Sequence, residues 1–298
     1  MGAVGATLVI ATTFAGSGGI VVAAIGAALS TGVLALLALW LGGHRATRGT
    51  LLRRSAINLE ATRGTDPRVW LVAHIDSKSQ PVSTAVRTLG VVLLAAGVFG
   101  LPIRAALLPS GLWPALPLVI CACAAIGGGI LVGAIVGSKS DGAADNASGV
   151  AAVLEAAASV GLHKSFGVLI TDAEELALAG ARAWVIGRPP GVAINCDTID
   201  DAGRLVVMRY RGSDELTRRA LVAARAVEPR AIAIRPLPGV LTDSVAFQAA
   251  SWQTLTLARG TLRTLNRIHT MRDNLHAVRG AGIPAAARVL ARLVEELA

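Results

Sequence analysis

In the stretch Asp141–Ala157, DGAADNASGVAAVLEAA, the first polar residue after the Ala pair is a carboxylate, Asp145. Asn146, Ser148 and Gly149 are typical turn and N-cap residues. The apolar residues that follow have helical spacing. Two interpretations are open: an ordinary helix N-terminus, or a carboxylate held at the edge of a sheet where it bridges two metal ions. The rest of the chain decides between them.

The composition is too apolar for a soluble enzyme of this length: 53% of the 298 residues are hydrophobic, 16% are charged, and the mean hydropathy is +0.61. Residues 1–43 contain no Asp, Glu, Lys or Arg, and a second apolar block covers residues 88–137. A transmembrane helix needs about 20 apolar residues. We therefore predict two spans, or one long span, in the first block, and two more near residues 88–108 and 112–137. No basic segment precedes the first block, so it does not resemble a signal peptide.

The net charge of +9 and the pI near 10.8 make nucleic acid a partner to consider. The aromatic content of 3% and the lack of a nucleic-acid motif argue against it, and we predict no nucleic acid partner. Arginines follow the first apolar block and Arg87 and Lys139 flank the second, whereas the loop inside the second block has only Arg104. The positive-inside rule then predicts an integral membrane protein with residues 44–87 and 138–298 in the cytoplasm. The three cysteines show no disulfide framework.

Polar residues follow the predicted buried strands. The strand Val69–Ala73 runs into His74-Ile75-Asp76. Because side chains alternate along a strand, His74 and Asp76 lie on the same face. The histidine can then bind a metal while the aspartate orients it from behind.

Two further strands end in carboxylates. Phe166–Thr171 is followed by Asp172-Ala173-Glu174-Glu175 and an apolar helix over Leu176–Ile186, and Val192–Cys196 is followed by Asp197. Adjacent glutamates at a helix start usually complement the helix dipole. At the end of a strand, however, one can bind a metal while its neighbour acts as a base.

The remaining elements continue the alternation of strands and helices. We predict strands over residues 204–209, 231–234 and 254–258, and helices over 213–227 with Ser213 as cap, from Thr242, and over 280–298; His269 lies in a loop after the last strand. This pattern predicts an α/β sandwich whose polar residues gather at the strand ends, the usual ligand edge of such sheets.

Two histidines and three carboxylates are the right set for two zinc ions that share one carboxylate and keep positions open for water. With these residues in place, the chain resembles metallopeptidase family 28, the co-catalytic zinc aminopeptidases and relatives such as glutamate carboxypeptidase II. The matching motifs are HIDS, GAADNASGVAAVLEAA, TDAEELALAG, NCD and HTMRD, in the family's order. They cover roughly residues 66–80 and 138–280.

The resemblance implies that Asp145 bridges two Zn²⁺ ions, with Co²⁺ and Mn²⁺ as alternative native metals. His74 and Asp197 would complete one site, and Glu175 and His269 the other.

The resemblance also implies roles around these ligands. Asp76 would orient His74, and Glu174 would be the general base acting on the metal-bridging water. The family tends to have a cis peptide after the bridging aspartate, here Asp145–Asn146. The chain departs from the family's SDH-like motif, which reads Thr242-Asp243-Ser244 here.

The predicted fold is thus a zinc-aminopeptidase-like α/β mixed sheet flanked by helices. N-terminal transmembrane segments occupy residues 1–43, the di-zinc peptidase domain comprises residues 44–83 and 138–298, and a transmembrane hairpin is inserted at residues 84–137.

The predicted function is a membrane-bound, zinc-dependent exopeptidase of the aminopeptidase type. Its partners would be the lipid bilayer and a peptide substrate, including peptides at the membrane. Other amide-bond chemistry on the same site, of the carboxypeptidase or glutaminyl-cyclase kind, stays open. An inactive membrane receptor or scaffold is a third possibility, which the intact ligand set disfavours. The sequence does not determine the oligomeric state.

Overall fold

The computed structural model describes residues 55–107, 113, 115–236 and 240–298. The predicted N-terminal spans in residues 1–43 lie outside the described residues. By its internal contacts the described chain divides into two compact units, one of residues 80–136 and one of residues 55–79 and 137–298.

The larger unit is built on one seven-stranded sheet. Its strands are β1 (Leu59–Arg63), β2 (Val69–His74), β3 (Phe166–Thr171), β4 (Val192–Ile199), β5 (Arg204–Arg209), β6 (Ile232–Ile234) and β7 (Gln253–Gly260). Their spatial order is β1-β3-β2-β4-β7-β5-β6. The four central strands β3, β2, β4 and β7 are parallel, β1 and β5 run antiparallel to their neighbours, and β6 is parallel to β5. The predicted mixed sheet is confirmed.

Helices cover both faces of this sheet, which confirms the flanking helices. One face packs against α3 (Ser148–Ser159), α5 (Asp214–Val227) and α8 (Ile283–Leu297). The other packs against α4 (Ala179–Trp184) and α6 (Asp243–Ala249). A short helix, α7 (Leu262–Arg267), follows β7. The central strands β2 and β3 are buried along their whole length, as expected for parallel strands covered on both sides.

An aromatic cluster fills the second face. Trp184 of α4 lies edge-on to Trp70 of β2 with ring centroids 4.6 Å apart, and it also contacts Phe247 at 5.8 Å and Trp252 at 5.5 Å. Aromatic pairs in such tilted arrangements contribute about 0.5–1.5 kcal/mol each beyond their area burial. The cluster therefore fastens the short helix α4 to the sheet.

Two local predictions are wrong in detail. The helix predicted over Leu176–Ile186 begins only at Ala179, because Ala177 and Leu178 have left-handed backbone with φ of +63° and +62°. Ser213 does precede α5, but its hydroxyl accepts a hydrogen bond from the Thr254 N–H at 2.9 Å and caps no N–H of the helix. In both places tertiary contacts override the local sequence preference.

The smaller unit contains a helical hairpin of α1 (Thr84–Leu107) and α2 (Leu116–Val132). The two helices approach closely through small residues. A Cβ atom on Gly127 would lie 2.5 Å from the backbone nitrogen of Leu94, and one on Gly97 would lie 2.4 Å from the Cβ of Ala124. Glycine at these positions therefore permits the close packing of the hairpin.

The predicted transmembrane spans near residues 88–108 and 112–137 are not found. Within the ranges that the structure describes, no helix is long and apolar enough to cross a membrane. The helix α2 has 17 residues, fewer than the roughly 20 that a span requires. The helix α1 has 24 residues, with Arg87 in its first turn and Arg104 in its last.

Candidate metal centre

The carboxyl ends of three adjacent parallel strands bring polar side chains together. His74 is the last residue of β2, Asp197 lies near the end of β4, and Glu174 and Glu175 lie in the loop after β3. Because β2 pairs with both β3 and β4, these residues meet at one edge of the sheet.

The structure brings together all six residues predicted as metal ligands or general base. They form two groups, and within each group one potential ligand atom per residue lies within 4.8 Å of the others. The first group, here called the strand group, comprises His74, Glu174 and Asp197; the second, here called the loop group, comprises Asp145, Glu175 and His269.

Asp145 connects the two groups. Its Oδ1 lies 3.1 Å from Nε2 of His74, and its Oδ2 lies 2.8 Å from Nε2 of His269. The side chain is buried, at 6% exposure. Each carboxylate oxygen therefore faces a histidine of a different group, as a bridging carboxylate must.

The loop that carries Asp145 is tied to β4 by the next residue. The Asp145–Asn146 peptide bond is cis, as the family resemblance implied. Oδ1 of Asn146 accepts hydrogen bonds from the N–H groups of Gly149 and Thr198, each at 3.1 Å, and its amide donates to the Cys196 carbonyl at 2.9 Å. A Cβ atom on Gly149 would lie 2.1 Å from that Oδ1, so the tie requires glycine there.

Asp76 holds the backbone of both glutamates. Its Oδ1 accepts from the Glu174 N–H at 3.0 Å, and its Oδ2 accepts from the Glu175 N–H at 3.1 Å. Nearby, Ala173 has left-handed backbone with φ of +57°. The sequence interpretation did not foresee this link from the His74 loop to the glutamate loop.

The Asp76 backbone also orients the imidazole ring of His74. Nδ1 of His74 lies 3.0 Å from the Asp76 carbonyl oxygen and 3.5 Å from the Asp76 carboxylate. A carbonyl oxygen can only accept a hydrogen bond, so Nδ1 donates it, and Nε2 is the ring nitrogen that faces Asp145. Asp76 therefore contacts the His74 ring more closely through its main-chain carbonyl than through its carboxylate.

A second aspartate, Asp273, acts in the same way on the Asp145 loop. Its carboxylate accepts from the N–H groups of Ala144 at 2.8 Å and Asp145 at 3.1 Å, and the residue is fully buried. The sequence analysis assigned it no role, although it is the last residue of the quoted motif HTMRD. It links the loop after α7, which carries His269, to Asp145.

Asp243 is another buried acid that the sequence analysis did not interpret. It starts α6, is fully buried, and accepts a 2.5 Å hydrogen bond from the Thr171 hydroxyl at the end of β3. Burial raises the pKa of Asp243 to about 6, against the lowering effect of His74.

The electrostatics of the centre strongly favour added positive charge. Burial alone would lower the pKa of His74, but the charge of Glu174 and hydrogen bonds to the neighbouring aspartates raise it well above its usual value. Burial opposes the same effect at His269, where Asp145 and Glu175 raise the pKa to about 9. Burial tends to raise the pKa of Asp145, yet the two histidines hold it well below its ordinary range.

The donor set fits a metal ion better than it fits hydrogen bonding alone. Nε2 of His269 lies 2.8 Å from Oδ2 of Asp145 and 2.9 Å from Oε1 of Glu175. An imidazole has one hydrogen on this nitrogen, and it cannot point well at both oxygens. One nitrogen and two carboxylate oxygens that converge in this way suit zinc, whose common ligands are imidazole and carboxylate.

The fold is thus an α/β mixed sheet with histidine and carboxylate groups near the ends of its parallel strands, which could hold metal ions. Residues 57–294 match the model of Peptidase family M28, so the chain belongs to that family. No curated protein matches the chain.

Solved structures of aminopeptidases share the fold. A zinc aminopeptidase from Bacillus subtilis aligns with a TM-score of 0.53 and 18% identity over 80% of this chain and 49% of its own. The LapA aminopeptidase from Legionella pneumophila gives 0.54 and 14% over 81% and 53%. A leucine aminopeptidase precursor from Bacteroides thetaiotaomicron gives 0.55 and 16% over 83% and 78%. The chain thus spans about half the length of the first two, and at these identities the likeness concerns the fold.

Proposed function

We propose that this protein is a zinc-dependent exopeptidase of the aminopeptidase type that works with two zinc ions. The proposal rests on the position of the Asp145 carboxylate, which has one oxygen 3.1 Å from Nε2 of His74 and the other 2.8 Å from Nε2 of His269. A carboxylate in this position gives two ions one shared ligand.

His74, Asp145 and Asp197 would hold one ion, and Asp145, Glu175 and His269 the other. When bound, zinc polarises a scissile carbonyl and makes water more acidic. With three protein ligands each, both ions would keep positions open to water and substrate.

Glu174 is the group we assign to proton transfer. Its carboxylate is buried within the strand group, and burial raises its pKa well above the ordinary value although His74 opposes the shift. A general base works best when its pKa lies near the working pH. Glu174 takes a proton from the attacking water and returns it to the leaving amine.

The neighbouring glutamates are suited to separate tasks because their backbones are fixed separately. Each N–H is held by its own oxygen of Asp76. Glu174 belongs to the group with Asp197, whereas Glu175 belongs to the group with His269. The two side chains therefore leave the same loop toward different groups, which supports one as base and the other as ligand.

Metal content and substrate choice test this function together. We expect purified protein to contain about two zinc ions per chain and to hydrolyse amides of amino acids with a free amine, but not N-blocked ones. Cleavage of blocked substrates at a free carboxyl end, or cyclisation of an N-terminal glutamine, would point to the other amide chemistries. Full zinc content without any turnover would support the receptor or scaffold.

We also propose that the protein is attached to a membrane, with its catalytic unit in the cytoplasm and membrane-associated peptides among its substrates. Residues 1–43 carry no charged side chain. Large apolar side chains of the hairpin are exposed, among them Leu89, Val92, Phe99 and Leu118. The charge asymmetry between flanking segments and the loop supports the cytoplasmic side.

Fractionation and a reporter test this attachment. The full chain should sediment with membranes and resist extraction by high salt. A reporter that works only in the cytoplasm should be active when it is fused after Ala298, and a reporter that requires export should be inactive there. Recovery of the full chain in the supernatant would refute the attachment, and activity of an export-dependent reporter would refute the cytoplasmic side.

A further inference from the structure

A lysine lies against one of the proposed zinc ligands. Lys78 follows β2 by four residues, and its side chain is only 16% exposed. Its ammonium group forms an ion pair with Oε2 of Glu175. Neither the motifs nor the proposed mechanism assigns this residue a role.

The two oxygens of Glu175 are therefore occupied differently. Oε1 lies 2.9 Å from Nε2 of His269 and belongs to the group that includes Asp145. Oε2 is held by Lys78 instead. Both Lys78 and Glu175 are largely removed from solvent, at 16% and 7% exposure, so water screens this pair less than a surface pair.

We propose that Lys78 is a positioning residue that makes Glu175 bind its zinc ion through one oxygen. The inference rests on the proposed function, because it assigns a partner to a ligand of that same site. A carboxylate can bind a cation with one oxygen or with both. By holding Oε2, Lys78 leaves Oε1 as the available ligand atom and keeps a coordination position free for the reaction.

The charge of Lys78 acts in the same direction. An ammonium group on Oε2 withdraws negative charge from the ligand and repels a nearby cation, so it weakens zinc binding. An ion that receives less negative charge from its ligands is the stronger Lewis acid. Lys78 thus lowers zinc affinity and raises the reactivity of the bound ion. When Lys78 is removed, zinc affinity should rise and kcat should fall.

The substitution Lys78→Met tests this directly, because methionine keeps a long side chain without charge. We expect zinc to bind about tenfold more tightly, since a repelling charge is lost, while kcat for amide hydrolysis falls about tenfold or more. Lys78→Arg keeps the charge and the donors and should stay close to wild type in both quantities. Zinc affinity is measured on the full chain by competition with a chelator.

Lys164→Met is the matched control. Lys164 is similarly buried, at 18% exposure, and it donates to the main-chain oxygens of Glu295 and Ala298 rather than to a metal-binding candidate. This variant should change neither zinc affinity nor kcat. It therefore separates the role of Lys78 from the general cost of removing a half-buried lysine.

Two results would overturn the inference. One is a Lys78→Met protein with the zinc affinity of the wild type. The other is a parallel loss of affinity and activity, which indicates damage to the site rather than a change in how Glu175 binds. If the wild-type chain itself binds no zinc, the proposed function fails first, and the experiment shows this before any variant is compared.

Discussion

The strand group and the loop group use the same kinds of side chain, but the chain holds them in different ways. His74 is the last residue of β2, where it pairs with Thr171 of β3, and Asp197 lies in β4 at the register shift between Cys196 and Ile199. Glu175 and His269 lie in loops, and His269 itself has left-handed backbone with φ of +60°. The strand ligands thus lie at the ends of paired strands, whereas the loop ligands depend on side chains that hold their loops in place.

Those side chains are the aspartates Asp76 and Asp273, one from each histidine loop. Asp76 holds the N–H groups of the glutamate loop, and Asp273 holds the N–H groups of Ala144 and Asp145. Segments with few backbone ladder bonds open more easily than central strands. The loop half of the centre should therefore be the first to respond when the site is perturbed.

The largest effect is expected within the glutamate pair. Glu174→Gln keeps the shape but removes the proton acceptor, so hydrolysis should fall by about 10²–10⁴ while zinc content stays unchanged. Rate and zinc stoichiometry are measured on the same preparation. Loss of zinc in this variant would reverse the roles of the two glutamates.

Removing one ligand from each half compares the two groups directly. Glu175→Gln should weaken its zinc ion because a neutral amide is a poorer ligand, and activity should partly return when zinc is added. Asp197→Asn should weaken the other ion. In the wild type, stepwise chelation should first remove the zinc ion held by Asp145, Glu175 and His269. If the ions leave together, or the other ion leaves first, the difference in support has no consequence for binding.

Weakening the hydrogen bonds of Asp76 should also lower zinc affinity, but by less than the loss of a ligand. Asp76→Asn leaves one acceptor oxygen for two N–H groups, and we expect zinc affinity to fall about tenfold, in line with other residues behind metal ligands. The free energy of unfolding should fall by about 1–3 kcal/mol. Asp214→Asn, an exposed aspartate at the start of α5, is the control and should change neither. Unchanged zinc affinity in Asp76→Asn would mean that the loop keeps its position unaided.

The smallest expected signal is the release of protons when zinc binds. In the metal-free chain the pKa of His269 is raised to about 9, so its imidazole is protonated at pH 7.5, and the pKa of His74 is raised in the same direction. A histidine that binds zinc must be neutral, so binding should release about one proton from His269. Calorimetry in buffers of different ionisation enthalpy measures this number, which should fall as the pH rises past 9. No proton release at pH 7.5 would show that the histidines are already neutral.

The strand half of the centre could be predicted from the sequence for a simple reason. The apolar runs before His74 and Asp197 indicate buried strands, and parallel strands bring the residues at their carboxyl ends to one edge. The order of motifs then indicated the ligands in the loops. The family match covers the same part of the chain.

The supports of the loop half could not be predicted in the same way. The hydrogen bonds of Asp76 and Asp273 join residues about 100 positions or more apart, so they depend on the finished fold. Left-handed backbone at Ala177 and Leu178 contradicts the helical preference of alanine and leucine. The apolar block at residues 88–137 contains most of α1 and all of α2, and among the described helices none is long and apolar enough to cross a membrane.

The aromatic cluster around Trp184 has a spectroscopic consequence. Of the five tryptophans of the chain, Trp184 contacts two, Trp70 and Trp252. Trp184 lies on the helix that follows the glutamate loop. Indole rings this close couple their electronic transitions, and the coupling changes with their separation and tilt. The near-ultraviolet circular dichroism of the native protein therefore reports on the position of α4 against the sheet. Through α4 it also reports on the loop that carries Glu174 and Glu175, without any added label.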